Sequence, residues 1–153
     1  MRLALYQPEI PQNMGAAIRA AACFGAGLDI IEPCGFPLDS RKIARVAMDY
    51  GALAEPMAHS GWSGFHQQLG PARLILLTTK AENSIWDFSF EESDVILMGQ
   101  ESAGAPDEVH AAAFARLRIP LAPGARSLNI TTAAAVALAE MRRQVGWGDS
   151  LAP

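Results

Sequence analysis

The sequence predicts an α/β protein built on a mostly parallel sheet with helices on both faces. Three observations predict it. Leu74-Ile75-Leu76-Leu77 and Val95-Ile96-Leu97-Met98 are short, wholly apolar runs, as expected of strands buried on both sides. Segments of this kind alternate with segments of helical periodicity along the chain, the pattern of a parallel sheet with crossover helices. No linker, repeat or low-complexity stretch interrupts the alternation, so residues 1–153 read as one domain.

Taken in order, Arg2 to Tyr6 is a short buried strand. Asn13 to Phe24 carries Met14, Ile18, Ala21 or Ala22, and Phe24 at near-helical spacing and stops at Gly25 and Gly27. Leu28 to Ile31 is the next strand, closed by Pro33. Asp39 and Ser40 are plausible caps for a helix reaching about Met48. Ser63 to Leu69 reads as a short helix, Leu74 to Thr78 and Val95 to Met98 as strands. Asp107 is the expected cap of an alanine-rich helix to about Phe114. Leu117 to Ile119 is a strand ending at Pro120, and Leu128 to Gly146 is a long final helix. Ala133 to Leu138 makes that helix apolar on more than one face, as in a buried helix or a dimer seam. The tail from Gly148 to Pro153 is expected to fray.

Half of the residues are apolar and 18% are charged, a globular balance. No apolar run approaches a membrane span, which points to the cytoplasm. Cys23 and Cys34, without metal-ligand spacing, read as buried thiols rather than a disulfide or zinc framework. His59, His66 and His110 are scattered, so no metal is expected. A net charge of −4 opposes a nucleic-acid partner. Its distribution softens the objection, because Arg41, Lys42 and Arg45 fall within five positions and Arg116, Arg118 and Arg126 form a second group. Either group reads equally as a solvated face.

Chemistry in such a sheet belongs at the carboxyl ends of the strands. Those ends are Tyr6-Gln7-Pro8, Leu77-Thr78-Thr79, Met98-Gly99-Gln100-Glu101 and Ile119-Pro120-Leu121. Gly99 and Gly104 bracket Glu101, and glycine admits close backbone approach to a ligand. Residues 122–129, with Ser127, Leu128 and Asn129, lead straight into the final helix and its unpaired amide donors. A G-x-G-x-x-G after a strand, a Walker lysine motif and a G-x-S-x-G elbow are all absent. Dinucleotide enzymes, P-loop NTPases and serine hydrolases are therefore demoted. Each remaining signal has a plain alternative: turn residues at Gly99 and Gly104, helix caps at Asn13 and Ser127, a surface arginine at Arg19.

In combination the segments resemble the SPOUT superfamily of methyltransferases. Asn13-Met14-Gly15-Ala16-Ala17-Ile18-Arg19 is similar to its first motif, N-x-G-x-x-x-R. Met98 through Pro106 is similar to its second, a glycine-glutamate-glycine-proline loop, and Ile119-Pro120 through Ser127-Leu128-Asn129 to its third. The motifs fall in the family's order and span nearly the whole chain. Leu5 to Asn13, Ile31 to Phe36 and Asp49-Tyr50 further resemble the compact members that methylate the wobble ribose of tRNA. Larger members add an RNA-binding domain, and by this resemblance none is expected within residues 1–153. Ala105 departs from the family's usual leucine, which puts local packing in question.

The resemblance implies a C-terminal trefoil knot, a homodimer with active sites near its interface, S-adenosylmethionine as cofactor and tRNA as partner. It implies methylation of the 2′-hydroxyl of a wobble cytidine or modified uridine. By the same resemblance Leu77, Gly99, Ile119, Ser127 and Leu128 hold the cofactor, and Arg19 and Asn129 are catalytic. Asn13, Glu101, Arg41, Lys42 and Arg45 would then serve the substrate. Glu101 has two readings, bracing its loop or touching a ligand, and Asn129 has two, orienting the ribose or capping backbone. The alternatives are a member acting on another tRNA or rRNA position, a non-catalytic RNA-binding module of the same fold, or an unrelated nucleotide-binding domain.

Overall fold

A computed structural model describes residues 1–38 and 56–147. The expected helix from Asp39 to Met48, with Arg41, Lys42 and Arg45, lies outside the described residues. So do Asp49-Tyr50 and the tail from Gly148.

Seven parallel strands make the sheet: β1 (Arg2–Tyr6), β2 (Gly27–Ile31), β3 (Met57–His59), β4 (Leu74–Leu77), β5 (Asn83–Ser84), β6 (Val95–Met98) and β7 (Ala115–Arg118), in the spatial order β3-β2-β1-β6-β4-β7-β5. Among the described residues four α-helices cover it: α1 (Pro11–Cys23), α2 (Trp62–Leu69), α3 (Asp107–Ala112) and α4 (Ile130–Val145).

Strand alternation sorts the core into two layers. Leu3, Leu5, Leu28, Ile30, Ile75, Leu77, Ile96 and Met98 face α1 and α4, meeting Ile18, Ala21, Ala134, Leu138 and Met141. Ala4, Tyr6, Ile31, Leu74, Leu76, Val95 and Leu97 face the other way, toward Phe65 and Leu69 of α2 and Val109 of α3. Both layers are apolar, which is why these strands show no polar alternation in the sequence. Asp29 of β2 and His59 of β3 are the buried polar exceptions. Asp29 is 1% exposed and bonds the guanidinium of Arg2 and, at 2.7 Å, Nε2 of His59. A buried carboxylate needs such partners.

Several expectations need correction. Asn13 does not cap α1: the helix starts two residues earlier, with Pro11 in the first turn where its missing N–H costs nothing. The last helix starts at Ile130, capped by Asn129 rather than Ser127, because the Asn129 side-chain oxygen accepts from the N–H groups of Thr131 and Thr132. Asp107 lies inside α3 and makes no side-chain cap. The thiols are not buried: Cys23 is exposed and Cys34 half-buried. Strands β3 and β5 carry too few apolar residues to signal themselves, with Met57 exposed and Asn83-Ser84 polar.

Strand β6 lies between β1 and β4, although it follows both in the chain. The chain lays β1, β2 and β3 outward in one direction and the remaining strands on the opposite side of β1. The reversal occurs at the centre of the sheet, where doubly wound folds open a crevice. No helix among the described residues is long and apolar enough to cross a membrane.

Candidate active site

A cleft of about 510 Å³ opens at the carboxyl ends of β4, β6 and β7, roofed by the start of α4. That volume suits a small-molecule ligand. Leu77, Met98, Ile119, Leu128 and Ile130 give it apolar walls, and the loop of residues 99–105 closes one side.

This loop owes its shape to two glycines. Gln100 and Gly104 exchange backbone hydrogen bonds at 2.8 and 3.0 Å, folding residues 100–104 back on themselves. Gly104 sits at φ +74°, in the left-handed region. A Cβ on Gly99 would fall 2.6 Å from the Ala105 nitrogen and closer still to the Gly104 carbonyl carbon. Only glycine permits that approach, so peptide groups rather than side chains form this wall. Ala105 packs against the Tyr6 and Val109 layer, so the smaller side chain is accommodated there.

Polar side chains tie the loop to the β1–α1 connection. Gln100 Nε2 donates to Gln7 Oε1 at 3.0 Å. Glu9 accepts from the Ser102 N–H at 2.8 Å and its hydroxyl at 2.7 Å, and these bonds hold the Glu9 carboxyl below its ordinary pKa. Glu101 accepts from the Glu9 N–H at 2.8 Å and from Asn13 Nδ2 at 3.1 Å. Asn13 in turn accepts from Asn129 Nδ2 at 3.0 Å, and its backbone carbonyl accepts from the Thr131 hydroxyl. Gln7 stands at φ +48°, a conformation rare for a side chain of its kind.

The three sequence motifs therefore meet. Leu77, Gly99, Ile119, Ser127 and Leu128 all line the cleft, as do Asn13, Glu101 and Asn129. Both Glu101 oxygens are engaged by protein donors, which favours the bracing reading over a ligand contact. Arg19 is exposed on α1 and does not line the cleft, being about 9 Å of helical rise beyond Asn13. Thr78, Lys80 and His110 also line it and were not singled out as site residues in the sequence. The signal for Lys80 was available, since it follows the flagged strand end by one residue. Among the described residues no three His, Cys, Asp or Glu side chains gather as a metal site.

Residues 1–139 match the SpoU rRNA Methylase family. The chain belongs to that family. A tRNA (cytidine(34)-2'-O)-methyltransferase of Beijerinckia indica subsp. indica is 49% identical over 147 residues, covering 94% of this chain and 91% of the relative. A solved structure concerned with the 2-OH methylation of C/U34 on tRNA superposes with a TM-score of 0.86 at 40% identity, over 94% of both chains. The SpoU methyltransferase AviRb of Streptomyces viridochromogenes, solved with AdoMet, superposes at a TM-score of 0.79 and 26% identity. There the match covers 94% of this chain and 60% of the longer one. In this SpoU-family chain the glycine-walled cleft is the candidate site for a small ligand. Its sides are apolar at Leu77, Met98, Ile119 and Leu128, and at Gly99 the wall is bare backbone.

Proposed function

We propose that this SpoU-family methylase transfers the methyl group of S-adenosylmethionine to the ribose 2′-hydroxyl of the wobble nucleotide of tRNA, a cytidine or modified uridine. The observation that carries the reading is the cleft itself: all three motifs converge on it, and relatives named for this reaction match the chain almost from end to end. S-adenosylmethionine supplies a methyl group made electrophilic by its sulfonium.

The protein supplies the rest. Leu77, Gly99, Ile119, Ser127 and Leu128 hold the cofactor in the cleft, leaving its open side for the ribose. In-line transfer then depends on alignment of the acceptor oxygen, for which a fixed site substitutes orientation for chance encounter. Asn129, at the cleft rim and at the N-terminus of α4, orients the ribose. Arg19 stabilises the developing negative charge and clamps a phosphate. A guanidinium stays protonated in proteins and does not serve as general base, so Arg19 acts as a fixed positive charge.

The same reading includes one catalytic domain, a C-terminal trefoil knot, a cytoplasmic location and a homodimer with composite sites. The position of Arg19 outside its own cleft supports a shared site. Arg41, Lys42 and Arg45 grip the RNA backbone.

The test is labelled methyl transfer to tRNA alongside a tRNA carrying 2′-deoxyribose at the wobble position. Label in the first and none in the second is expected. Equal labelling of both would place the acceptor elsewhere.

A further inference from the structure

The hydrogen bonds joining Glu101, Asn13 and Asn129 have a forced direction. At one end the ionised Glu101 carboxylate has only acceptors, so Asn13 must turn its NH2 group toward it, at 3.1 Å. At the other end the N–H groups of Thr131 and Thr132 have only protons to offer. Asn129 must therefore turn its oxygen toward them, at 2.9 and 3.2 Å. Its NH2 group is left to meet the Asn13 oxygen at 3.0 Å. Neither amide can flip alone without setting two donors or two acceptors face to face.

We propose that this chain is a one-way amide relay in which Glu101 and Asn13 are positioning residues. They act through Asn129 by fixing which face it turns to the ribose. The inference rests on the reading that Asn129 orients the acceptor. On that reading it also links the two halves of the reaction, through two residues that line the same cleft, Glu101 on the loop and Asn129 at the start of α4.

The relay predicts which substitutions are compatible. With its oxygen held by the Glu9 N–H, Glu101→Gln offers an NH2 group to Asn13, and the amide reversal that follows turns the NH2 of Asn129 onto the helix N–H groups. Asn13→Asp sets a second carboxylate against Glu101. Such a pair functions only while it shares one proton, so its activity should rise as pH falls. Combining the two exchanges acid and amide between the positions. The amide introduced on the loop donates its NH2 group to the carboxylate introduced on α1, whose other oxygen still accepts from Asn129. Both original contacts and the orientation of Asn129 survive.

The experiment measures kcat and KM for transfer to total tRNA, from pH 5.5 to 8, in the wild type, E101Q, N13D and N13D/E101Q, with melting temperatures for each. Each single variant should lose about tenfold or more in kcat/KM at pH 8, the scale of one or two misdirected hydrogen bonds. N13D should recover toward pH 5.5, and the double variant should return to within about threefold of wild type across the range. A double variant whose loss is the product of the single losses overturns the relay. So does an N13D profile parallel to that of the wild type. Recovery of melting temperature without recovery of transfer makes the trio a structural brace and also overturns the proposal. Label mapped to a nucleotide other than the wobble position displaces the substrate assignment alone, because the cycle is read on whichever ribose is methylated.

Discussion

Gly99 and Gly104 approach so closely that the space a Cβ would need on Gly99 is already filled by the Gly104 carbonyl carbon and the Ala105 nitrogen. The contact sets how near the loop lies to the end of β6, and so the width of the cleft. Gly99→Ala should push the loop away at a cost of about 1–3 kcal/mol, the usual range for overpacking. Calorimetry with S-adenosylhomocysteine should show cofactor affinity reduced about tenfold or more. Unchanged affinity would mean that the loop is not part of the cofactor site.

Arg19 should behave differently, since it lies outside the cleft of its own chain. Arg19→Ala should remove nearly all methyl transfer, by analogy with a lost oxyanion donor worth about 3–4 kcal/mol, while cofactor affinity stays near normal. Arg19→Lys should restore little, because lysine lacks the planar fork. Steady-state transfer rates with parallel calorimetry check both, and full activity in the alanine variant would make Arg19 a surface residue.

Much of this site could be read from the sequence. The strand ends at Leu77, Gly99 and Ile119 were legible because fully apolar runs stop abruptly at residues of special backbone or polar character, and all three line the cleft. The role of Asn13 was not legible. Its partners Glu101 and Asn129 are 88 and 116 residues away, and no local pattern encodes so distant a contact. Helix starts were misplaced for a related reason. Asn13, Ser127 and Asp107 are all good capping residue types, and only tertiary structure decides which one meets a helix end. Strands β3 and β5 escaped notice because edge positions need little apolar surface.

Asn129 caps α4 with one oxygen that serves two N–H groups. Asn129→Ala should therefore cost about 1 kcal/mol of stability, a fall of about 2–4 °C in melting temperature for a chain of this size. Calorimetric melting checks it, and an unchanged midpoint would show the cap to be replaceable by water.

The Glu9–Ser102 contact carries a pH signature. Hydrogen bonds from the Ser102 hydroxyl and N–H lower the Glu9 pKa from its ordinary 4.5. A depressed carboxyl pKa contributes stability above the unfolded value and loses it as pH falls through the folded value. The contact should thus persist at pH 4.5 and release only in more acidic solution. The Ser102 amide resonance should follow the Glu9 carboxyl through that transition. Ser102→Ala, removing one donor, should move the midpoint upward.

Arg41, Lys42 and Arg45 are the cations expected to grip RNA on a chain of net charge −4. Affinity for tRNA should fall as salt rises, and each alanine substitution should flatten the log–log slope by about 0.7, the value for one phosphate contact on a single strand. Slopes that do not change in any of the three variants would assign the grip to other residues.

The central claim is transfer to one oxygen of one nucleotide. Its most direct test is mass spectrometry of nuclease fragments from tRNA incubated with the protein and S-adenosylmethionine, compared with tRNA incubated without the protein. A single added methyl is expected in the anticodon fragment, retained on the ribose of the wobble cytidine or uridine after the base is released. A methyl that leaves with the base, or a ribose mark outside the anticodon loop, would contradict it.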